Sequence, residues 1–189
     1  MKQVKITVKQ YLELKKLAVA CSYDFSRIAL TKVFYNKEFD EFAACDGHVL
    51  RIHKIEWADS APEHSFMLEY REIMYSERQL FHINSEPDDI FNRKRFVSNA
   101  LVPINYREVA SGCAYPDYRK LIPKQEDRKP IDQVGMNYSI VKKFFDSFVS
   151  IPSNARFSFS GQLAAVVVDI QQHRECEWVL GGVIMPTRI

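Results

Sequence analysis

Two hydrophobic periods run along the chain, and they predict two related helices. Within residues 11–21, apolar side chains recur at i, i+3, i+6, i+7 and i+10, which is the stripe of one amphipathic helix face. Residues 138–148 repeat the same five offsets. The two stretches also share a lysine pair, namely Lys15 and Lys16 in the first and Lys142 and Lys143 in the second. The pattern places Lys16 and Lys143 opposite the apolar stripe and the other two lysines on its flank.

Short apolar, β-branched or aromatic segments bounded by turn residues follow each helix and predict antiparallel strands. These segments are residues 27–35, 40–45 and 48–55 after the first helix, and 155–160, 163–170 and 178–185 after the second. The sequence therefore predicts an α+β fold of duplicated β-α-β-β-β units, with the helices on one face of antiparallel sheets. The alternative is coincidence, since amphipathic helices are common.

The middle third of the chain is less regular. Segments 65–76 and 78–84 have the composition of strands, and no stretch there matches the two helices. We predict one domain over 1–125, with a divergent or inserted part at 60–112, and a second unit over 126–189.

Composition adds limits on function. Apolar residues make up 47% and charged residues 26% of the 189 positions, which is typical of a globular protein. Because the net charge is +2, nucleic-acid binding would need local clusters of cations, such as the helix lysines. Lysines can neutralise phosphates without reading bases, although a solvated helix face is their commoner role.

Targeting and redox signals are few. The beginning of the chain lacks the apolar core of a signal peptide, and the apolar run 163–168 is far shorter than the roughly 20 residues that cross a bilayer. We expect a cytoplasmic protein without membrane association. The four cysteines are scattered and are expected to be reduced thiols.

One segment, "CDGH" at 45–48, combines groups that carry chemistry elsewhere. Cys45 and His48 suggest a thiol nucleophile, and with His53 they suggest zinc ligands, but Asp-Gly is first a hairpin turn and no second ligand cluster completes a metal site. Phosphate-binding and hydrolase motifs are absent from the sequence. We predict no catalytic site, no metal and no cofactor.

Three motifs resemble one known family. "AACDGHVL" at 43–50, "AYPDYRKLIP" at 114–123 and the segment 154–189 are similar, in the same order, to stretches of the bacterial β sliding clamp, the β subunit of DNA polymerase III. The resemblance implies a ring-forming processivity factor, a homo-oligomer that works with a clamp loader and has no catalytic site of its own. The helices would line the hole and contact double-stranded DNA nonspecifically through Lys15, Lys16, Lys142 and Lys143.

The resemblance also implies a hydrophobic pocket that binds short peptides of DNA polymerases and repair proteins. Carried over position by position, the pocket comprises Cys45, Gly47, His48, Val49, Leu50, Pro116, Lys120, Leu121, Val183, Met185, Pro186, Thr187 and Arg188. Three of these positions depart from the family pattern: Cys45 replaces a small hydroxyl residue, Val49 an arginine and Thr187 a methionine. These departures bear on peptide preference.

The chain has about half the length of a three-domain clamp, and this leaves a second function open. It keeps counterparts of the second domain and of the closing half of the third. An adaptor or decoy could retain the peptide pocket without encircling DNA.

Overall fold

The computed structural model describes residues 2–55, 57, 61–70, 72–73, 101–108, 114–128, 134–149, 152–161, 164–172 and 177–186. Two α-helices have full bounds in this part of the chain, α1 (Val8–Leu17) and α2 (Tyr138–Asp146). The strands are β1 (Lys2–Thr7), β2 (Lys32–Asn36), β3 (Glu41–Cys45), β4 (Val49–Lys54), β5 (Phe66–Glu69), β6 (Leu101–Glu108), β7 (Asn154–Ser158), β8 (Val166–Gln171) and β9 (Val179–Ile184).

Both helices begin at side chains that accept backbone hydrogen bonds. Thr7 and Gln10 form a capping box at α1, in which the Thr7 hydroxyl accepts from the Gln10 amide and the Gln10 side chain accepts from the Thr7 amide. At α2, Asn137 Oδ1 accepts from the Ser139 amide at 2.8 Å. These caps fix where each helix leaves the preceding segment.

The described strands form one antiparallel sheet of nine strands, in the order β1-β6-β5-β2-β3-β4-β9-β8-β7. The pairing of β4 with β9 joins the two halves, and its register sets Leu50 against Val183. Gly182 permits this junction, because a Cβ there would lie 2.0 Å from the Leu50 carbonyl oxygen. The tail of the chain is thereby placed beside the "CDGHVL" segment.

The sheet has a different hydrophobic cluster on each face. The helix-side core is the larger and contains the buried faces of α1 and α2, among them Tyr11, Leu14 and Phe144. Because side chains alternate along a strand, the other face receives a separate set. This outer-face cluster consists of Ala43, Cys45, Leu50, Ile52, Tyr118 and Val183. The α+β prediction with helices on one face of antiparallel strands is confirmed.

Several local predictions are corrected. The strand predicted over 27–35 begins at Lys32, and residues 25–31 form 3₁₀ turns instead. In the middle third, residues 66–69 are a strand, but residues 70, 72 and 73 are helical, so a helix begins where strand was expected. Segment 78–84 lies outside the described residues.

The two helices are also less alike than their sequences. Tyr11 is buried at 1% exposure and its hydroxyl donates to the Ile73 carbonyl, whereas Tyr138 is 77% exposed at the first turn of α2. Residues 134–137 lead into α2 without a strand. The repeated pattern predicted both helices but not their depth in the core. None of the helices in the described part of the chain has the length and apolarity needed to span a membrane.

Candidate functional site

The "CDGH" segment is a tight turn between β3 and β4. Asp46 Oδ1 accepts hydrogen bonds from the amides of His48 and Val49, each at 2.8 Å. Gly47 has a φ of +95°, a backbone conformation that residues with a side chain rarely adopt. The Gly47 amide donates to the Cys45 sulfur. The segment is therefore a hairpin turn that is closed by hydrogen bonds of the Asp46 carboxylate and the Cys45 sulfur with the backbone amides.

The "YPDYRKL" segment lies across the outer face of the sheet. Tyr115 stacks on Phe34 with ring centroids 4.8 Å apart, and the Tyr118 hydroxyl donates to Glu41 Oε1 at 2.8 Å. Arg119 forms an ion pair with the same carboxylate. This segment therefore covers strands β2 and β3 on the outer face of the sheet.

The third motif, at the end of β9, also contacts the "CDGH" turn. Beyond the β4–β9 pairing, the Met185 amide donates to the His48 carbonyl at 2.8 Å, so the tail continues along the turn. Val183 enters the outer-face cluster with Leu50 and Tyr118. The three motifs, distant in sequence, thus meet on one face of the sheet.

The predicted pocket residues fall into groups. Cys45, Leu50 and Val183 are buried in the outer-face cluster. The exposed ones are Gly47, His48, Pro116, Lys120 and Leu121, and the half-buried ones are Met185 and Pro186. Leu121, at 46% exposure, is an apolar side chain that the fold leaves accessible at the rim. Thr187 and Arg188 lie outside the described residues.

The prediction that the Val49 side chain lines the peptide pocket is corrected by the structure. It is buried in the helix-side core, on the face of the sheet opposite to Leu50, because successive side chains of β4 point to opposite sides. Its side chain therefore does not supply a wall of the outer-face cluster.

The sequence reasoning missed several members of the cluster. Ala43, Ile52 and Tyr118 are buried in it, and the partly buried Leu30, Phe34, Tyr115, Ile122, Ala165 and Leu180 pack against it. The alternation of β3 and β4 would have assigned Ala43 and Ile52 to the face of Cys45 and Leu50. Nothing local in the sequence signals Leu30, which reaches the cluster from a 3₁₀ turn.

The four helix lysines differ in their surroundings. Lys16 is exposed on α1, and Lys15 is half-buried. On α2 the predicted orientation is reversed: Lys142 is the more exposed, at 56%, and pairs with Asp146 one turn away, whereas the Lys143 side chain is 24% exposed. The reason is a partner that the helix pattern could not reveal.

That partner is Asp46 of the turn. Lys143 Nζ lies 2.6 Å from Asp46 Oδ2 and also donates to the Cys21 carbonyl at 3.1 Å. Burial alone would raise the pKa of Asp46, but hydrogen bonds from Lys143 and from the Val49 and His48 amides outweigh it and lower the pKa. Lys143 thereby joins α2 to the "CDGH" turn and to Cys21, which follows the 3₁₀ turn after α1.

A second charged group lies in the helix-side core. Arg51 is 3% exposed; its Nη1 donates to the Gly181 carbonyl at 3.2 Å and its guanidinium lies 3.7 Å from the centroid of the Phe148 ring. Desolvation lowers the pKa of Arg51 to about 9. His53, on the same face of β4, has its pKa lowered to about 4 by burial and by the positive charges of Arg51 and Lys9.

The thiol and zinc hypotheses find no geometry to support them. Cys45 faces the outer side of the sheet, whereas His53 pairs with Phe42 of the helix-side core, so the two point to opposite faces. Burial raises the pKa of the Cys45 thiol, and that of Cys21 to about 12, which makes both poor nucleophiles. Among the described residues, no three potential ligands are grouped to hold a metal ion.

Comparison with known proteins gives matches in structure and none in sequence. No family model matches the chain, and no curated protein does. Its fold is similar to the DNA polymerase sliding clamp from Bacillus subtilis, with a TM-score of 0.64, 15% identity, and coverage of 100% of this chain and 64% of the clamp. The β chain of DNA polymerase III from Streptococcus pneumoniae matches with a TM-score of 0.64, 15% identity, and coverage of 100% and 65%.

A third similar structure carries a ligand. It is the sliding clamp from Bartonella birtlesii bound to griselimycin, with a TM-score of 0.61, 13% identity, and coverage of 99% of this chain and 66% of that one. The whole described fold is therefore that of a sliding clamp. More particularly, it is the fold of the bacterial DNA polymerase III β subunit, and the chain spans about 64% of the length of the Bacillus clamp.

Proposed function

We propose that this protein is a shortened sliding-clamp-like processivity factor, which contacts duplex DNA through its helix face and binds short peptides of replication proteins at its outer-face cluster. The observation that carries the proposal is the meeting of the three motif segments around Leu50, Tyr118 and Val183, on the face opposite to α1 and α2. DNA and peptide would thus be bound on opposite sides of one sheet. Catalysis would belong to the partner.

The peptide surface is apolar with a polar rim. Leu121 and Pro116 are exposed beside the buried cluster, and the Lys120 side chain is 82% exposed and pairs with Asp117 at 3.1 Å. Such a surface suits a peptide with apolar anchors. Griselimycin, the ligand of the Bartonella clamp, is an additional probe for it.

The peptide assignment is tested by titrating a labelled clamp-binding peptide from a bacterial replicative polymerase. Leu121→Asp places a charge among the apolar contacts, and we expect at least a tenfold loss of affinity, the size of a lost interface anchor. Leu12→Asp is the matched control, since Leu12 is exposed at 39% but lies on α1. Equal affinity of Leu121→Asp and the unchanged protein, or no binding by either, contradicts the assignment.

The DNA contact is assigned chiefly to the lysines not held by the turn. Lys16 is exposed, and Lys142 forms an exposed ion pair with Asp146 of its own helix, so both can turn toward phosphates; Lys15 lies on the flank of α1. Lys143 would contribute less, because Asp46 already neutralises it. Charge reversal of Lys16 and Lys142 together should weaken duplex binding and reduce its salt slope by about 2.

The control for this experiment is Lys124→Glu. Its side chain is 78% exposed, but it follows the segment on the outer face, so its reversal should leave the salt slope unchanged. An unchanged slope in the Lys16 and Lys142 variant would refute the helix assignment. Sedimentation with and without DNA tests the ring: a strict monomer would favour the adaptor or decoy that binds peptides without encircling DNA.

A further inference from the structure

The segment over the outer-face cluster is attached to the sheet by side chains. Its backbone hydrogen bonds, as far as the described residues record them, are internal: the amides of Tyr118, Lys120 and Ile122 donate to the carbonyls of residues two or three positions earlier. A segment with only local backbone bonds has low intrinsic rigidity. Its position therefore depends on a small number of contacts.

The strongest of these contacts converge on Glu41. This carboxylate is 1% exposed at the start of β3, on the outer face. Its Oε1 accepts from the Tyr118 hydroxyl at 2.8 Å, and its Oε2 pairs with Arg119. One buried carboxylate thus holds two successive residues of the segment with its two oxygens.

The surroundings complete this arrangement. Asn36 Nδ2 donates to the Tyr118 hydroxyl at 3.0 Å, so the phenol both donates and accepts. The Arg119 guanidinium lies 4.1 Å from the centroid of the Phe39 ring. A buried carboxylate without partners would be very costly, and here both oxygens have one.

The accessible residues of the segment lie next to the two that are held. Lys120 and Leu121 complete the 3₁₀ turn that contains Tyr118 and Arg119, and the Pro116 carbonyl accepts a hydrogen bond from the Tyr118 amide. Movement of this turn would move the apolar rim away from Leu50 and Val183. The contacts of Glu41 therefore act on the same turn that carries the apolar rim.

We propose that Glu41 is a positioning residue for the peptide surface, which holds Tyr118 and Arg119 so that Pro116 and Leu121 are pre-arranged over the outer-face cluster. This inference rests on the proposed function. A pre-arranged segment raises affinity by increasing the fraction of molecules that can bind, because the apparent dissociation constant is the intrinsic one divided by that fraction. Glu41 itself does not touch the peptide.

The test measures association and dissociation rates of the labelled polymerase peptide with Glu41→Gln and Tyr118→Phe. Glu41→Gln keeps the shape and an acceptor but removes the charge opposite Arg119; Tyr118→Phe removes the hydroxyl and with it both of its hydrogen bonds, the one it donates to Glu41 and the one it accepts from Asn36. We expect the apparent Kd to rise about tenfold for Glu41→Gln, the effect of losing a charge-assisted hydrogen bond. The rise should come from slower association, with dissociation changed less than twofold.

Two comparisons separate positioning from contact and from general stability. Leu121→Ala, which shortens a contact residue, should instead accelerate dissociation. Glu38→Gln removes an exposed carboxylate from the same hairpin and should change neither rate. Amide hydrogen exchange should accelerate within residues 115–122 of Glu41→Gln while the protein remains folded.

The outcomes are distinguishable. Peptide binding by the unchanged protein with the same rates in Glu41→Gln and Tyr118→Phe would overturn the inference and leave the proposed function standing. A loss of affinity that comes entirely from faster dissociation would also overturn it, because Glu41 would then act on the bound state. Absence of binding by the unchanged protein would overturn both.

Discussion

We predict that His53 makes the stability of this protein sensitive to mild acid. Its side chain is packed on the helix side of β4, and burial together with the charges of Arg51 and Lys9 lowers its pKa from 6.5 to about 4. Between these two values the unfolded chain binds a proton that the folded chain excludes. The free energy of unfolding therefore falls as the pH decreases from about 6.5 to about 4.

The magnitude follows from the shift. The pKa falls from 6.5 to about 4, and at about 1.36 kcal/mol per pH unit this corresponds to about 3 kcal/mol in full. About 2 kcal/mol of this is lost between pH 8 and pH 5. Urea unfolding, followed by tryptophan fluorescence, gives the free energy at each pH; Trp57 is partly buried and packs against the helix-side core.

The comparison variant is His53→Gln, which keeps a polar side chain of similar size but does not titrate. The difference in unfolding free energy between the two proteins should change by about 2 kcal/mol between pH 8 and pH 5, since other titrating groups are common to both. A difference that stays constant over this range would refute the reasoning. A change of the opposite sign would show that His53 is charged in the folded state.

Two further predictions concern the junctions of the fold. Gly182→Ala should lower the free energy of unfolding by more than about 2 kcal/mol, because its Cβ would lie 2.0 Å from the Leu50 carbonyl oxygen. In the control Gly161→Ala the nearest neighbour of the new Cβ lies at 3.7 Å, so the free energy of unfolding should change by less than about 0.5 kcal/mol. Equal effects of the two substitutions would contradict the close contact at the β4–β9 junction. The Asp46–Lys143 pair should show a coupling of about 1 kcal/mol in a double-mutant cycle of Asp46→Asn and Lys143→Met, because both side chains are largely buried. The more exposed Lys142–Asp146 pair, treated in the same way, should show a coupling energy of about 0.3 kcal/mol. Similar coupling energies for the two pairs would argue against the Asp46–Lys143 pair as a stabilising link between α2 and the β3–β4 turn.

Much of the local structure follows from the sequence. The helical stripes of 11–21 and 138–148 predict both helices, and Asp-Gly predicts the turn between β3 and β4, since these patterns reflect the backbone geometry of neighbouring residues. The three motifs that resemble a clamp likewise predict the fold that the structural comparison finds. The predicted lysine contacts and pocket residues stay predictions.

Other features depend on contacts distant in sequence. Tyr11 and Tyr138 occupy equivalent positions of one pattern, yet Tyr11 is buried with its hydroxyl donating to the Ile73 carbonyl, whereas Tyr138 is exposed. Alternation along β4 assigns Val49 and Leu50 to different faces, but it does not say which face the helices cover. That choice sets Val49 in the helix-side core.

The sequence by itself determined the helical periods and the turn, which act over a few residues. The tertiary structure alone decided that Glu41 is buried beneath Tyr118 and Arg119 and that Lys143 pairs with Asp46 across 97 positions. The physical reason is that the environment of a charge is set by the surfaces packed around it. Here the order of strands in the sheet, above all the β4–β9 pairing, brings those surfaces together.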